Sequence, residues 1–467
     1  MSASQDMTTG SPGKLMTRFA LPLMGSYLFQ QLYTLADGLV VGRLVGVEAL
    51  AAVGATAFLS WMVLSLVLGF TQGFGVFFAQ RFGAKDEAGL RRAATTSLWL
   101  CGAIGLGLTA LGIGLAPAVL RAVNTPVELM EDALAYLNWI IGGTCIAVGY
   151  NLAGALLRAF GDSKTPLVAV VLSGVLNVAL DVVLVGLFHW GVAGAAIATV
   201  VSQLLSLAYC LWALRGQREQ LFSRREPRPD RATAATLLRL GAPMAFRNGV
   251  ISVGGLFVQN AINQYGALFV AGMAAAKRYY GVMEVVSAGL EGAVATFVGQ
   301  NAGRGDVSRI KAGMAFARRT GLLASGGVLA LVFLLARPLV GLLISSPDPL
   351  QQALALEAGV NALRAMALCM PALYMLCMHR AAIQGMGHTL VPMFSGFMEL
   401  ALRILCVLSA ASWLGVGGVY FADGIGWIGA MALVCLAYPL ARRGFEGRLK
   451  AQGLSPSPCP LDAREMP

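Results

Sequence analysis

Twelve long apolar segments limit the folds open to this chain of 467 residues. Each is longer than the ~20 residues that a helix needs to cross a bilayer, and too long for a membrane-spanning strand. We therefore predict an all-α polytopic membrane protein with twelve transmembrane helices. The segments, numbered 1 to 12, cover approximately 18–42, 50–79, 94–120, 133–157, 165–187, 192–214, 237–264, 270–300, 319–343, 355–379, 389–412 and 420–441.

Composition and charge favour the same class. Only 12% of the residues are charged, whereas soluble domains are about 25% charged. The net charge of +11 does not indicate nucleic acid, because the basic residues concentrate in alternate loops, the positive-inside pattern of membrane proteins. With an even number of spans, this predicts the cell inner (plasma) membrane with both termini cytoplasmic. The basic set comprises Lys14, Arg18, Arg81, Lys85, Arg91, Arg92, Arg158, Lys164, the run 215–231, Arg304, Arg309, Lys311, Arg318, Arg319, Arg380, Arg442, Arg443, Arg448 and Lys450.

A basic polar connection divides six segments from six, and the two halves repeat. Gln80 and Asp86 match Gln300 and Asp306 at an offset of 220. We align 161–166 with 387–392, and 173–181 with 395–403 at an offset of 222. Transporters built from parallel repeats rock one half against the other. The predicted domains are a tail (1–17), an N-lobe (18–214), a linker (215–236), a C-lobe (237–441) and a second tail (442–467).

Polar residues inside the first six segments form a candidate site. An ionised carboxylate at membrane depth costs at least about 2.5–3.5 kcal/mol, so such residues are usually functional. Asn177 and Asp181 share one helix face because they are four residues apart. Convergence inside the bundle would allow these oxygens to carry a proton or to hold Na⁺; a structural hydrogen-bond network is the alternative. The residues are Asp37, Asn151, Asn177, Asp181 and Thr199.

Segment 1 also contains Pro22, fifteen residues before Asp37. Proline removes a backbone donor and can bend a helix, so the charge of Asp37 could select between straight and bent states. The alternative is a proline tolerated near a helix start, and we place Pro22 and Pro243 at the openings of their segments.

The second half has other intramembrane charges and no counterpart of Asp37. Glu284 and Glu291 lie seven residues apart on one helix face and are candidates to line a cavity. Glu399 and Arg403 are four residues apart, which predicts a structural ion pair.

No sequence motif indicates an enzyme, a metal centre or a cofactor. The chain has no phosphate-binding G-x-x-x-x-G-K-[ST] loop, no H-E-x-x-H, no nucleophile elbow and no C-x-x-C. An ion gradient, of H⁺ or Na⁺, is then the natural energy source.

From about residue 15 to 445 the chain resembles the multidrug and toxic compound extrusion (MATE) family. The resemblance implies a V of two six-helix bundles, a monomer, and H⁺- or Na⁺-driven antiport of amphiphilic, often cationic, small molecules. It rests on the repeat and on the strings LADGLVVGRLVGVEALAAVG (35–54), LLRAFGDSKTP (156–166), VGQNAGRGDVSRI (298–310) and IQGMGHTLVP (383–392).

The resemblance is to the DinF-like and archaeal branch rather than to the NorM-like branch. It implies a coupling site of an acid on segment 1, Asn and Asp on segment 5 and Thr on segment 6, which match Asp37, Asn177, Asp181 and Thr199. Asn151 and Tyr136 match cavity positions, and Pro22 matches the bend-forming proline. The NorM-like branch has an acidic residue shortly after the proline of segment 7. In this chain, residues 243–255 contain no acidic residue, and Arg247 is their one charged residue.

Two alternatives stay open at this point. A lipid-linked oligosaccharide or lipid flippase of the same superfamily would be expected to have extra helices and a strongly cationic cavity. A non-transporting scaffold or receptor would have no reason to combine Asp37, Asn177, Asp181 and Thr199.

Overall fold

The computed structural model describes residues 5–122, 125–217, 221, 229–345, 347–409 and 415–451. Their regular structure is helical, as predicted, without strands. The α-helices in chain order are α1 (Pro12–Leu44), α2 (Val47–Gly83), α3 (Glu87–Ala122), α4 (Val127–Gly142), α5 (Thr144–Ala159), α6 (Lys164–Asp181), α7 (Gly191–Leu214), α8 (Arg231–Asn263), α9 (Ala267–Arg304), α10 (Val307–Leu343), α11 (Pro349–Gly385), α12 (Leu390–Ser409) and α13 (Val416–Ala451).

The helices correspond to the predicted segments. Within the described ranges, nine helices are long and apolar enough to cross a membrane. The pair α4 and α5, which meet at an angle of 42°, adds a tenth. The two remaining long helices, α1 and α8, contain polar residues such as Asp37 and Arg247, which lower their mean hydropathy. The predicted all-α polytopic fold is confirmed, with predicted segment 4 divided at Gly143.

Neither proline opens its helix, so that placement was wrong. Pro22 and Pro243 lie inside α1 and α8, which begin at Pro12 and Arg231. The hydroxyl of Ser26 donates to the carbonyl of Pro22 at 3.0 Å, a contact that often accompanies helix bending. Pro22 can therefore weaken α1 from within, as the bending hypothesis requires.

The chain divides into two compact units. Unit 1 is Leu21–Asn248 with the described residues of Met1–Thr9, and unit 2 is Gly10–Ala20 with those of Gly249–Pro467. The first part of α8 therefore packs within unit 1. A Cβ at Gly73 of α2 would lie only 2.4 Å from Gly241 Cα, so glycine permits this close approach.

Each unit has its own buried core. In unit 1, Phe74, Phe78 and Phe160 are fully buried among the residues of α2, α3 and α5. In unit 2, α11 is central, and the hydroxyl of its Tyr374 donates to Met283 O of α9 at 2.8 Å. Two cores of this kind match the predicted repeat.

The repeat is also visible in the backbone. A left-handed residue precedes or begins corresponding helices in both units, a conformation that favours glycine. Asp86 and Asp306 accept from the backbone of Gly89 and Arg309 at 2.8 and 3.0 Å, as helix caps do. The left-handed pairs are Gly46 and Gly266 (φ 126° and 87°), Lys85 and Gly305 (56° and 80°), Gly161 and Gly387 (77° and 84°), and Gly191 and Gly415 (57° and 51°).

These landmarks correct the alignment of α6 with α12. Counted from Gly161 and Gly387, Asn177 and Arg403 are both the sixteenth residue, an offset of 226 rather than 222. Counted from Gly191 and Gly415, Thr199 and Asp423 are both the eighth. The sequence match of 173–181 with 395–403 is displaced by four residues, about one helical turn.

Several predicted features lie partly or wholly outside the described residues. The linker is described at 215–217, 221 and 229–236, and the tails at 5–17 and 442–451.

Candidate functional site

Unit 1 brings three of its helices together around two carboxylates. Asp37 comes from α1, Asn177 and Asp181 from the end of α6, and Thr199 from α7. Asn177 is 2% exposed and Asp181 is fully buried, while Asp37 is half-buried. Four residues that the sequence placed on three segments therefore share one interior region.

The two carboxyl groups lie within electrostatic range of each other. Among the described residues, neither forms an ion pair. Asp37 Oδ1 and both carboxyl oxygens of Asp181 are buried, and none of them has a hydrogen-bond partner among the described residues. Two ionised carboxylates repel each other at this range, and one shared proton or cation would convert repulsion into attraction.

Neutral oxygens complete the surroundings of the pair. The amide of Asn177 donates to Thr199 Oγ1 at 3.4 Å, and the Thr199 hydroxyl donates to Ala195 O at 3.1 Å. Asn177 Oδ1 is buried with no partner among the described residues. The site therefore offers carboxylate, amide and hydroxyl oxygens, the ligand types that hard cations prefer.

The backbone changes conformation immediately after Asp181. Residues Val182–Leu187 form a π-helical turn, in which the amide of Phe188 donates to Val183 O at 3.0 Å. Such insertions in α-helices frequently mark functional sites. Here the π-turn ends the regular helix at the carboxylate itself.

Tyr136 of α4 and Tyr33 of α1 also belong to this region. The hydroxyl of Tyr136 lies within electrostatic range of Asp37 and Asp181, and its role in a cavity stays a prediction. Tyr33 is within range of Asp37, and sequence reasoning missed it. Its signal was the spacing of four residues, which places both on one face of α1.

Asn151 and Pro22 are placed differently. The side-chain amide of Asn151 donates to Ala147 O, one turn earlier on the same helix, at 2.8 Å. This hydrogen bond does not link Asn151 to the two carboxylates. Pro22 lies beside the border between Ala20 and Leu21, where α1 passes from unit 2 to unit 1.

Unit 2 has a charged interior of a different kind. Glu399 is paired with Arg380 of α11 and, at 3.6 Å, with Arg403. Arg403 Nε also lies 2.8 Å from Asp423 Oδ1 of α13. The predicted pair of Glu399 and Arg403 exists, but it is part of a network of four charges. Arg380, which we counted with the loops, is inside α11 and 6% exposed.

Glu284, Glu291 and Lys277 lie on α9 near this network. Glu284 is exposed and interacts with Tyr280, whose ring stacks on Trp427 with centroids 5.5 Å apart. Glu291 is within electrostatic range of Glu284. The ammonium of Lys277 donates to Gln259 at 2.9 Å. The two predicted cavity carboxylates therefore lie close to each other, with Glu284 accessible.

The family model described as MatE matches the chain twice, over residues 22–183 and 243–407. The chain belongs to the MatE family. Each match starts at a proline, Pro22 or Pro243, and each covers one half of the repeat. The family and its relatives are transporters, which places the chain among multi-span membrane transport proteins.

Relatives and solved structures of MatE-family type match over almost the whole chain. The probable multidrug resistance protein YpnP of Bacillus subtilis is 28% identical over 441 residues, 94% of this chain and 97% of that protein. The probable multidrug resistance protein NorM of Thermotoga maritima is 26% identical, over 90% and 89%.

Among solved structures, a MOP superfamily transporter from Pyrococcus furiosus superposes with a TM-score of 0.88 at 25% identity, covering 96% of this chain and 99% of that one. A multidrug resistance MATE family transporter in an outward-facing conformation gives 0.85 at 25%, with the same coverage. The MatE-family fold thus extends over both units.

Sequence reasoning missed Asp423 and Arg380 as members of the unit 2 network. The repeat could have found Asp423, since it follows Gly415 by the same eight residues that separate Thr199 from Gly191. No local signal separates Arg380 from a loop arginine, because its partner is nineteen residues away on another helix.

Proposed function

We propose that this MatE-family protein is a secondary active antiporter. It exports amphiphilic, often cationic, drugs or toxic metabolites in exchange for H⁺ or Na⁺ by alternating access. The observation that carries the proposal is the pair of carboxylates formed by half-buried Asp37 and fully buried Asp181, which have no basic partner among the described residues.

An uncompensated pair of this kind suits reversible cation binding. A permanent basic partner would fix the charge, whereas Asn177 and Thr199 supply neutral oxygens only. Intramembrane carboxylates that lack a partner are typical of proton relays and ion pathways. The site can therefore take up one cation from one side of the membrane and release it to the other.

Coupling requires a different affinity for the cation in the two transport states. Asp37 lies on α1, which contains Pro22, whereas Asp181 lies at the π-turn of α6. Neutralising the pair removes a repulsion between these two helices, so it favours the state in which they are closest. Bending of α1 at Pro22 is the movement that this change would drive.

Further parts of the proposal rest on sequence and on relatives. The positive-inside pattern favours an inner-membrane protein with cytoplasmic termini. The predicted lobes (18–214 and 237–441) would move as the two halves of the antiporter, functioning as a monomer. The absence of an acid in residues 243–255 favours the DinF-like type of coupling, with Asp37 and Asp181 as its carboxylates.

The deciding experiment is export of a cationic dye, measured as its uptake into everted vesicles and driven by a pH gradient or by a Na⁺ gradient. The wild type is expected to transport with one of the two, and Asp37→Asn is expected to lose transport. Asp132→Asn is a matched control, because Asp132 is an exposed carboxylate of the same unit. Equal transport by Asp37→Asn and wild type would refute the coupling role of the pair.

A further inference from the structure

Two contacts occupy the same place in the two units. In unit 1 the pair is Asn177 and Thr199, joined at 3.4 Å. In unit 2 the residues at the same distances from the left-handed glycines are Arg403 and Asp423, joined at 2.8 Å. Because equivalent positions make equivalent contacts, the two regions are versions of one structural site.

The two versions of the site differ in their charged side chains. Asp181 lies one turn beyond Asn177, and the matching position in unit 2 is Val407. The match of Asp37 is Phe257 when counted from Gly46 and Gly266, and Val258 when counted from the two prolines. Unit 2 thus lacks both carboxylates of unit 1, and has a guanidinium where unit 1 has a neutral amide.

The Arg403 guanidinium is held as a bound cation would be. It lies between Asp423, at 2.8 Å, and Glu399, at 3.6 Å, and it donates to Ile251 O at 3.3 Å. The residue is 6% exposed. Two carboxylates and a carbonyl on three helices therefore surround one positive charge.

We infer that Arg403 is a tethered cation which permanently fills, in unit 2, the place where unit 1 takes up its exchangeable cation. The identity of the unit 1 site rests on the proposed function, but the ligands of Arg403 do not. A permanently filled site cannot exchange ions. The chain then has one exchanging site, in unit 1, and a second that acts as a fixed structural copy of the cation-bound form.

Removing the Arg403 side chain should create a binding site for free guanidinium, which has the shape of the group that was removed. In Arg403→Ala, the carboxylate of Asp423 loses its guanidinium, and that of Glu399 keeps only the guanidinium of Arg380. The test is the apparent Tm of the purified full chain with about 10 mM guanidinium chloride, far below the molar concentrations that unfold proteins, against equal KCl. We expect a selective rise of at least about 2 °C for Arg403→Ala, as for any ligand that binds only the folded state.

Three comparisons make this result decisive. The wild type and Arg278→Ala, which removes an exposed arginine of unit 2, should show no rise. Arg403→Ala combined with Asp423→Asn should lose the response, and in this double variant Glu399 keeps its pair with Arg380. No selective rise for Arg403→Ala, or the same rise in the double variant, would overturn the inference.

A converse variant covers the case in which Arg403→Ala does not fold. Asn177→Arg places a tethered cation beside Asp181 and Thr199 in unit 1, and Asn177→Leu is its uncharged control. We expect Asn177→Arg to unfold at a higher temperature than Asn177→Leu and to lose ion-driven dye efflux. Efflux at the wild-type rate, with unchanged ion dependence, would overturn the inference. The guanidinium test involves no transport, so failure of the antiport proposal would leave its result interpretable.

Discussion

Unit 1 and unit 2 place polar residues at equivalent positions of corresponding helices, yet they balance charge in opposite ways. In unit 1, Asp37 and Asp181 have no ion-pair partner among the described residues. In unit 2, Glu399 and Asp423 are paired with Arg380 and Arg403. One scaffold therefore supports a charge-deficient site and a charge-balanced network.

The difference teaches which buried charges are available for function. A compensated network gains stability only as long as every partner is present, so it resists change. An uncompensated carboxylate costs folding energy and recovers it when a cation binds, which is the property that ion coupling needs. Variants of the two units should accordingly separate loss of stability from loss of transport.

The largest expected effect is on the stability of unit 2. Glu399→Gln leaves the guanidinium groups of Arg380 and Arg403 without a carboxylate between them, and breaking a buried ion pair from one side costs about 3–5 kcal/mol. Thermal unfolding of the purified protein measures it. Glu357→Gln is the control, since Glu357 is an exposed carboxylate of the same unit and exposed sites usually change by less than about 0.5 kcal/mol. A Glu399→Gln protein as stable as the wild type would remove the contrast between the units.

The next effect is on transport by unit 1. Asp181→Asn should lower the rate of dye efflux at least tenfold, about 1.4 kcal/mol, because it removes one of the two charges that bind the cation. Its Tm should equal or exceed that of the wild type, since the repulsion with Asp37 disappears. If Asp181→Asn instead destabilises the protein as Glu399→Gln does, then Asp181 is a structural charge.

A smaller effect concerns the helix caps that the repeat shares. Asp306→Ala and Asp86→Ala should each cost about 1 kcal/mol, with Asp306 the larger because it is 4% exposed, whereas Asp86 and its second donor, Arg81 at 2.8 Å, are partly exposed. Parallel thermal melts of the two variants measure the difference. Equal losses would show that burial of the cap is unimportant here.

The cap at Asp86 also has a defined pH dependence. The backbone amide of Gly89 and the Arg81 side chain lower the pKa of Asp86 below its ordinary value of 3.8. A lowered pKa stabilises the fold above the ordinary value, and the contribution is lost as the pH falls through the lowered pKa. The difference in Tm between wild type and Asp86→Ala should therefore stay constant from about pH 8 to pH 5, and shrink only below about pH 4.

The smallest effect is expected at Thr199. Thr199→Val keeps the shape of the side chain and removes an acceptor that Asn177 reaches only at 3.4 Å, so stability should fall by about 0.5 kcal/mol, the low end for a lost hydrogen bond. Dye efflux should fall about two- to threefold, less than 1 kcal/mol, because one neutral oxygen is lost. A loss as large as that of Asp181→Asn would make Thr199 an essential ligand.

Much of the fold was predictable because its signals are local. Apolar segments, Pro22 and Pro243, and the matching turns of the repeat can be read from neighbouring residues. Errors arose where a neighbouring element decides the outcome. The helices extend ten or more residues before each proline, and α6 aligns with α12 one turn away from the best sequence match, because left-handed glycines set the register.

The candidate site likewise combines features that the local sequence predicts with features that required the tertiary structure. The positions of Asp37, Asn177, Asp181 and Thr199 were predictable, since a polar residue in an apolar segment is conspicuous. Their mutual contact, the nearby Tyr33 and the π-turn after Asp181 required the structure. In unit 2 the sequence showed Glu399 and Arg403, but not that Arg380 and Asp423 join them from other helices.

The sequence alone determined that this is a helical membrane protein built from a repeated half, and which of its residues are too polar for their surroundings. Hydropathy is a property of consecutive residues, so it needs no tertiary information. Only the tertiary structure decided which polar residues are compensated. Compensation depends on side chains that meet within about 4 Å from helices far apart in the chain, and the same position holds Asn177 in one unit and Arg403 in the other.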